Sequence, residues 1–169
     1  MKSTVSVDVA APPELVFRLA RDVERWPDLL PHYVRVHVVE RRRDGAIAAE
    51  MVARRPLIPV LGLALPVAWR ARTWNEPQAL RLRFVHLGGA TAGMDVTWRL
   101  ARTALGTRVA IDHDFRPRVP GWAWFVDRAF TRPIAARTLA TFKAIAEALA
   151  VDVLGADASG MAAPANQPS

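Results

Sequence analysis

Residues 131–153, TRPIAARTLATFKAIAEALAVDV, decide how this chain must fold. At about 100° per residue, Ile134, Leu139, Phe142, Ile145, Leu149 and Val153 fall in one sector roughly 140° wide, while Arg137, Lys143 and Glu147 lie outside it. A helix with such a stripe needs a large apolar surface to cover it. Thr138 falls inside the stripe, where a close-packed core favours a hydrocarbon. Helix and cover therefore meet either in a solid core or around a ligand cavity, with Thr138 a candidate lining residue. A helical threonine can equally bond its own backbone.

The cover comes from the chain before the helix, which reads mostly as strands. Period-two alternation marks residues 4–9, 33–41, 47–55, 67–74, 80–86, 94–100 and 109–115. One early helix is expected after Pro12-Pro13-Glu14, with Leu15, Val16, Leu19 and Val23 on its apolar side, and it breaks at Arg25-Trp26-Pro27-Asp28. Asp44-Gly45 and Leu105-Gly106 are turn signals, and no crossover helix separates the strands. Short links favour an antiparallel, hairpin-connected sheet over a parallel one. The uncharged segment 56–66, PLIPVLGLALP, reads as a buried loop over the core edge; the functional reading is a lid or a patch that meets lipid. A globular domain over 1–154 and a disordered tail over 155–169, rich in Ala, Gly, Ser and Pro, complete the organisation.

The length of 169 residues fits one domain with a real core. There is no cysteine, which excludes disulfides and thiolate chemistry. Neither a signal peptide nor a membrane-spanning run is recognisable, so a soluble cytoplasmic protein is expected. The formal charge of +7 is carried almost entirely by arginines spread along the chain, with one run at Arg41, Arg42 and Arg43. No nucleic-acid-binding motif accompanies them, and a solvated basic surface is the expectation rather than a nucleic-acid partner.

Alternation points Trp69, Ala71 and Thr73, then Leu82, Phe84 and His86, then Met94, Val96 and Trp98, then Val109, Ile111, His113 and Phe115 to the inside. The inward polar inventory is Tyr33, Arg55, Thr73, His86, His113 and Thr138, set among Met51, Trp69, Phe84, Met94, Trp98 and Phe142. His32 is placed at a sheet end and His37 in solvent. An apolar chamber with a few polar points suits a hydrophobic small molecule, although the same residues also suit an ordinary core. No acid falls on the inward series, and no metal-ligand spacing, phosphate loop or nucleophile elbow is present. No metal and no cofactor are expected.

Ala11-Pro12-Pro13-Glu14-Leu15-Val16-Phe17 and the run from Asp22-Val23-Glu24-Arg25-Trp26-Pro27 to Pro31-His32-Tyr33 resemble the opening of START-like helix-grip proteins. Gly93-Met94-Asp95-Val96-Thr97-Trp98, Gly106-Thr107-Arg108-Val109, and Thr138-Leu139 with Lys143 and Glu147 continue the likeness, which covers roughly residues 4–150. The nearest subgroup is the polyketide cyclases/aromatases with the coenzyme Q-binding proteins. The resemblance implies an α+β helix-grip fold: a curved antiparallel sheet wrapped around the C-terminal helix with an internal hydrophobic cavity. It also implies that Tyr33 reaches that cavity. The aromatase/cyclases place an arginine on the strand that here carries Trp69; Thr73 stands near that position, and Arg70 and Arg72 belong to the outward series.

Two functions follow as expectations. One is a polyketide cyclase/aromatase-like protein, with Tyr33, His86 and His113 moving protons and an acyl carrier protein as a possible basic-surface partner. The other is a non-catalytic quinone or lipid carrier whose segment 56–66 and Trp122-Ala123-Trp124-Phe125 meet a membrane surface. A surface-acting interaction module of the same fold is the third and weakest.

Overall fold

The computed structural model describes the backbone of residues 1–58, 63–117 and 119–160, and the side chains of 1–55, 64–117 and 119–152. Seven strands form one antiparallel sheet: β1 (Lys2–Val9), β2 (Tyr33–Arg41), β3 (Ile47–Ile58), β4 (Leu63–Glu76), β5 (Arg81–Gly89), β6 (Asp95–Thr103) and β7 (Gly106–Asp114). Their order is β1-β7-β6-β5-β4-β3-β2, so β2 to β7 follow one another as neighbours and the β1–β2 connection crosses from one edge of the sheet to the other. Helix α1 (Pro13–Arg21) and the single turn α2 (Trp26–Leu29) lie in that connection. After β7 come α3 (Trp122–Val126), a π-helical turn (Asp127–Thr131) and the long α4 (Arg132–Gly160).

The sheet grips α4 as the apolar patterning requires, but the buried line on the helix is not the predicted one. Ala135, Thr138, Leu139, Phe142, Ala146 and Ala150 are buried, whereas Leu149 is exposed and Ile145 half-buried. Hydrophobicity weighting drew the stripe toward the largest side chains. Packing rotated it toward alanines, whose small Cβ atoms let the helix approach closely. Polar ties fix the same face: Glu147 accepts from the Ala10 amide at 2.8 Å, and Lys143 Nζ donates to the Asp8 carbonyl at 2.6 Å. The α4 backbone runs on to Gly160, into the segment assigned to the tail. Val153's side chain and residues 161–169 fall outside the described residues.

The apolar segment 56–66 is not a loop across a core edge over its described length. Arg54 pairs with Pro66, Arg55 with Leu65, Pro56 with Ala64 and Ile58 with Leu63, extending the β3–β4 hairpin through a register shift. Ala64, Leu65 and Pro66 are exposed. Residues 59–62 and Arg118 lie outside the described residues.

The strand assignments place the inner face, with one informative exception in β2. Strict alternation groups Val34 with Val36 and opposes Tyr33 to both. A bulge between Tyr33 and Arg35 absorbs one residue, leaving Val34 46 % exposed and turning Tyr33 to the buried face beside Val36. His37 is exposed, as alternation requires.

Trp26 divides the space between sheet and helix. It is buried, donates from Nε1 to the Ala20 carbonyl at 3.0 Å, and contacts Tyr33, Trp98, Phe84 and Phe142 with ring centroids 5.1, 5.5, 5.7 and 6.0 Å away. Toward the C-terminal half of α4, Phe142 and Ala146 join Val16, Phe17 and Ala20 in a solid core. Toward its N-terminal half the gap stays open. Trp26→Ala removes a fully buried ring at this division and is expected to lower the unfolding free energy by roughly 3–5 kcal/mol. Trp26→Phe, which keeps an aromatic wedge, is expected to lose less than half of that. Urea denaturation followed by far-ultraviolet circular dichroism measures both.

Candidate functional site

The open half is an apolar cavity of about 80 Å³. Its walls include Trp26 and Tyr33 from the α2–β2 corner, Met51, Val67, Trp69, Phe84, Met94, Trp98 and Ile111 from the sheet, and Phe130, Thr131, Ile134, Ala135 and Thr138 from the helical segment. His86, Thr91 and His113 add polar points. Nine candidates named from sequence thus share one space: Tyr33, Met51, Trp69, Phe84, His86, Met94, Trp98, His113 and Thr138.

Three candidates lie elsewhere. Thr73 is buried on the inner face but lines a separate polar groove with Arg21, Asp22 and Asn75, because Trp26 and Phe84 fill the space between. Phe142 belongs to the core, edge-on to both Trp26 and Trp98. Arg55 is half-buried on the extended β3–β4 hairpin, outside the cavity lining. Arg70 and Arg72 are on the outer face, where Arg72 and Arg83 lie over the Trp74 ring at 5.1 and 5.6 Å.

The polar points are each held by the local fold. His86 stacks on Trp69, with ring centroids 5.8 Å apart and planes 18° from parallel. Its Nδ1 lies 2.6 Å from Thr91 Oγ1 in the turn between β5 and β6. Gly89 allows that turn: its φ is +81°, and a Cβ would sit 2.7 Å from the Ala68 carbonyl oxygen. His113 is paired with Ser3 across β1 and with Val96 across β6. Thr138 makes no bond to its own backbone; its Oγ1 lies 2.9 Å from His32 Nε2.

Among the residues that sequence reading did not single out are Thr91, which holds His86, and two buried polar groups. His32, expected at a sheet end, is only 2 % exposed and packs edge-on to Tyr33 with centroids 5.1 Å apart. The second is an inward acid, Asp127, contrary to the expectation that none exists. It is buried in the π-helical turn, accepts from Ser3 Oγ and from Arg132 Nε at 2.7 Å each, and lies near His113. Strand alternation could not find Asp127, because the π turn adds a residue to the helical repeat. Among the described residues, no three His, Cys, Asp or Glu side chains come together as a metal site.

Burial dominates the titration of these groups. It pushes His86 down to about 4, with the neighbouring His113 adding to the effect. His113 is likewise pushed down to about 4 by burial, which outweighs the opposing pull of Asp127 and Asp112. His32 is lowered to about 4 by burial and then by Arg137. The Tyr33 phenol is pushed upward by burial, and the nearby Thr138 hydroxyl offsets part of that. Near neutral pH the cavity therefore holds neutral imidazoles and a protonated phenol.

Known proteins place this architecture. Residues 1–147 match the family described as "Polyketide cyclase / dehydrase and lipid transport". The chain belongs to this family. The Zhui aromatase/cyclase from Streptomyces superposes with a TM-score of 0.69 at 21% identity, covering 87% of this chain and 93% of that one. A START superfamily protein from Mycobacterium smegmatis gives 0.64 at 15% identity, with 88% and 98% covered. The di-domain aromatase/cyclase BexL from the BE-7585A biosynthetic pathway gives 0.65 at 26% identity; 85% of this chain covers 45% of that one. The fold is a helix-grip fold, a curved antiparallel sheet around a long C-terminal helix. No helix among the described residues is long and apolar enough to cross a membrane.

The titration sets a pH dependence. An unfolded histidine titrates near 6.5, whereas His86 and His113 titrate near 4 in the fold. Between these values the unfolded chain binds more protons, so stability is expected to fall as pH drops from 6.5 toward 4. The limiting slope is about 1.4 kcal/mol per pH unit for each such histidine. Urea midpoints across this range measure it, and His86→Asn with His113→Asn is expected to reduce the dependence to the part contributed by His32, which is lowered to about 4 as well.

Proposed function

We propose that this protein binds a poly-β-keto or related flat aromatic molecule in the cavity and promotes its cyclisation and dehydration. The observation that carries the reading is the shared apolar wall of a phenol that keeps its proton and two imidazoles kept neutral. A neutral imidazole, with His113 the first choice, takes a proton from a methylene between two ketones. The resulting enolate carbon bonds to a second carbonyl carbon, and Tyr33 gives its phenolic proton to that carbonyl oxygen. The imidazolium returns its proton to the phenolate. Dehydration repeats the cycle: imidazole takes the adjacent C–H proton, and the hydroxyl leaves as water with the Tyr33 proton. The walls of Trp69, Trp98 and Phe84 hold the chain folded so that the reacting carbons meet.

At about 80 Å³ the free volume is below the ~300–1,000 Å³ of sites that enclose drug-sized ligands, so such a guest must move a wall. The Trp69–His86 stack and the aromatic α3 segment are the movable parts in this reading. A substrate carried by an acidic acyl carrier protein would meet Arg70, Arg72 and Arg83 on the outer sheet face.

In a reconstituted polyketide system lacking its own cyclase, the wild-type chain is expected to redirect spontaneous shunt products into one cyclised product. Tyr33→Phe and His113→Ala are each expected to reduce that product by at least a hundredfold. A folded Tyr33→Phe, His86→Ala, His113→Ala variant with the wild-type product profile overturns the assignment.

Exposed aromatics favour a second reading, that of a quinone or lipid carrier. Trp124 is 68% and Phe125 45% exposed, and Phe125 packs against Phe130 in the cavity wall with centroids 5.8 Å apart. Under this reading the protein sediments with anionic liposomes and retains lipid in native mass spectrometry. Trp124→Ser with Phe125→Ser is expected to abolish the sedimentation. No sedimentation by the wild-type chain excludes the membrane contact.

A further inference from the structure

The π-helical turn Asp127–Thr131 and the strand position of His113 meet at the cavity wall. Ser3 and His113 stand opposite one another across β1 and β7, so their side chains share the inner face. Ser3 Oγ donates to Asp127 Oδ1 at 2.7 Å, which ties the first residue of the turn to that strand pair. Thr131 is the last residue of the turn, and both it and His113 line the cavity.

Each of the two brings a polar atom that bonds to nothing among the described residues. His113 is 6 % exposed, and its Nδ1 is buried without a hydrogen-bond partner. The Ser3 backbone lies near the ring but forms no hydrogen bond to Nδ1. Thr131 Oγ1 is likewise buried and unpartnered. A helical threonine can bond the carbonyl four residues back, as Thr141 does with Arg137 at 3.0 Å. For Thr131 that carbonyl belongs to Asp127, and the widened turn gives it to the Arg132 amide. Unmatched buried polar atoms are a standing cost to the fold, which a ligand group placed between them removes.

The chemistry of the two atoms selects that group. A neutral imidazole presents at Nδ1 either an N–H or a lone pair, and the Thr131 hydroxyl rotates to donate or to accept. A ligand hydroxyl complements both tautomers, accepting from one partner and donating to the other. A ketone oxygen only accepts, so it fits only where Nδ1 carries the proton. A hydrocarbon matches neither atom. We propose that His113 and Thr131 form a subsite in the apolar cavity that recognises the hydroxyl of a flat aromatic phenol. This deepens the proposed reading, since dehydrative cyclisation of a poly-β-ketone yields phenols. It rests on the cavity as the ligand site and not on turnover.

Equilibrium dialysis of the full chain at neutral pH tests it with 2-naphthol and 2-methylnaphthalene, which exchange a hydroxyl for a methyl group of similar size. Thr131→Val keeps the side-chain shape and is expected to lower the naphthol-to-methylnaphthalene affinity ratio about fivefold, the scale of one neutral hydrogen bond. Thr131→Ser, which keeps the hydroxyl, is expected to hold the wild-type ratio. His113→Phe, a flat ring without nitrogen, is expected to lower it as Thr131→Val does. A general packing defect would weaken both probes and leave the ratio unchanged. Should His113→Phe fail to fold, Thr131→Val decides alone. An unchanged ratio in Thr131→Val overturns the subsite, and a ratio lowered by Tyr33→Phe in its place puts the ligand hydroxyl at the phenol. Binding of neither probe by the wild-type chain overturns the subsite and the cavity as ligand site together. The cyclase reading is decided separately, by the product profile of the Tyr33, His86 and His113 variant.

Discussion

The packing of Trp26 against four rings is the contact on which both halves of this molecule depend. A sheet curved around a helix encloses more length than a short chain can fill with side chains. Trp26 enters that space from a single helical turn, held by Pro27 and by the bond to the Ala20 carbonyl. On one side the helix presents Phe142, Ala146 and Ala150 and the packing is dense. On the other it presents Ile134, Ala135 and Thr138 and the packing stops. The question posed by the C-terminal stripe therefore has both answers, one for each half of the helix. Thr73 and Phe142 fall on the dense side or beyond it for the same reason.

Electrostatically, the cavity is governed by desolvation more than by charge pairing. Its histidines lose their affinity for protons because an imidazolium there would have no water to hydrate it. Asp127 works against this at His113 but is itself occupied by Ser3 and Arg132, which limits the negative charge it offers. The result is a set of uncharged donors and acceptors, the kind of lining that tolerates an apolar guest. Arg70, Arg72 and Arg83 stand on the outer sheet face, where Arg72 and Arg83 lie over the Trp74 ring.

Regular periodicity made most of this legible from residues alone. Seven alternating segments placed the strands, and the inward series brought His86, His113, Trp69, Phe84 and Trp98 to one side. What escaped were the irregular points. The bulge at Val34 changes the parity of β2, and no pattern of period two encodes it. The π turn at Asp127–Thr131 carries an acid inward against the helical repeat. His32 sits between a proline turn and a strand, where local signals say only that the chain bends. Alanines on α4 bury more completely than Leu149, because helix approach rewards small side chains and hydrophobicity scales do not. The paired continuation of β3 and β4 past Pro56 and Pro66 was hidden by prolines that mark only the lost donors of a ladder.

The bulge in β2 has a further consequence, for association between molecules. The sheet is open, and β2 is one of its two edges, so its outward backbone groups are available to a strand from another chain. A regular edge rich in valine would be a template for such pairing. Here the ladder slips at Tyr33/Arg35 and again at Val38/Glu40, and Arg35, His37, Glu40 and Arg41 are exposed along the strand. Two slips interrupt the spacing that a partner strand would have to match. The irregularity that aims Tyr33 inward thus also keeps the edge from acting as a seed for sheet-to-sheet aggregation.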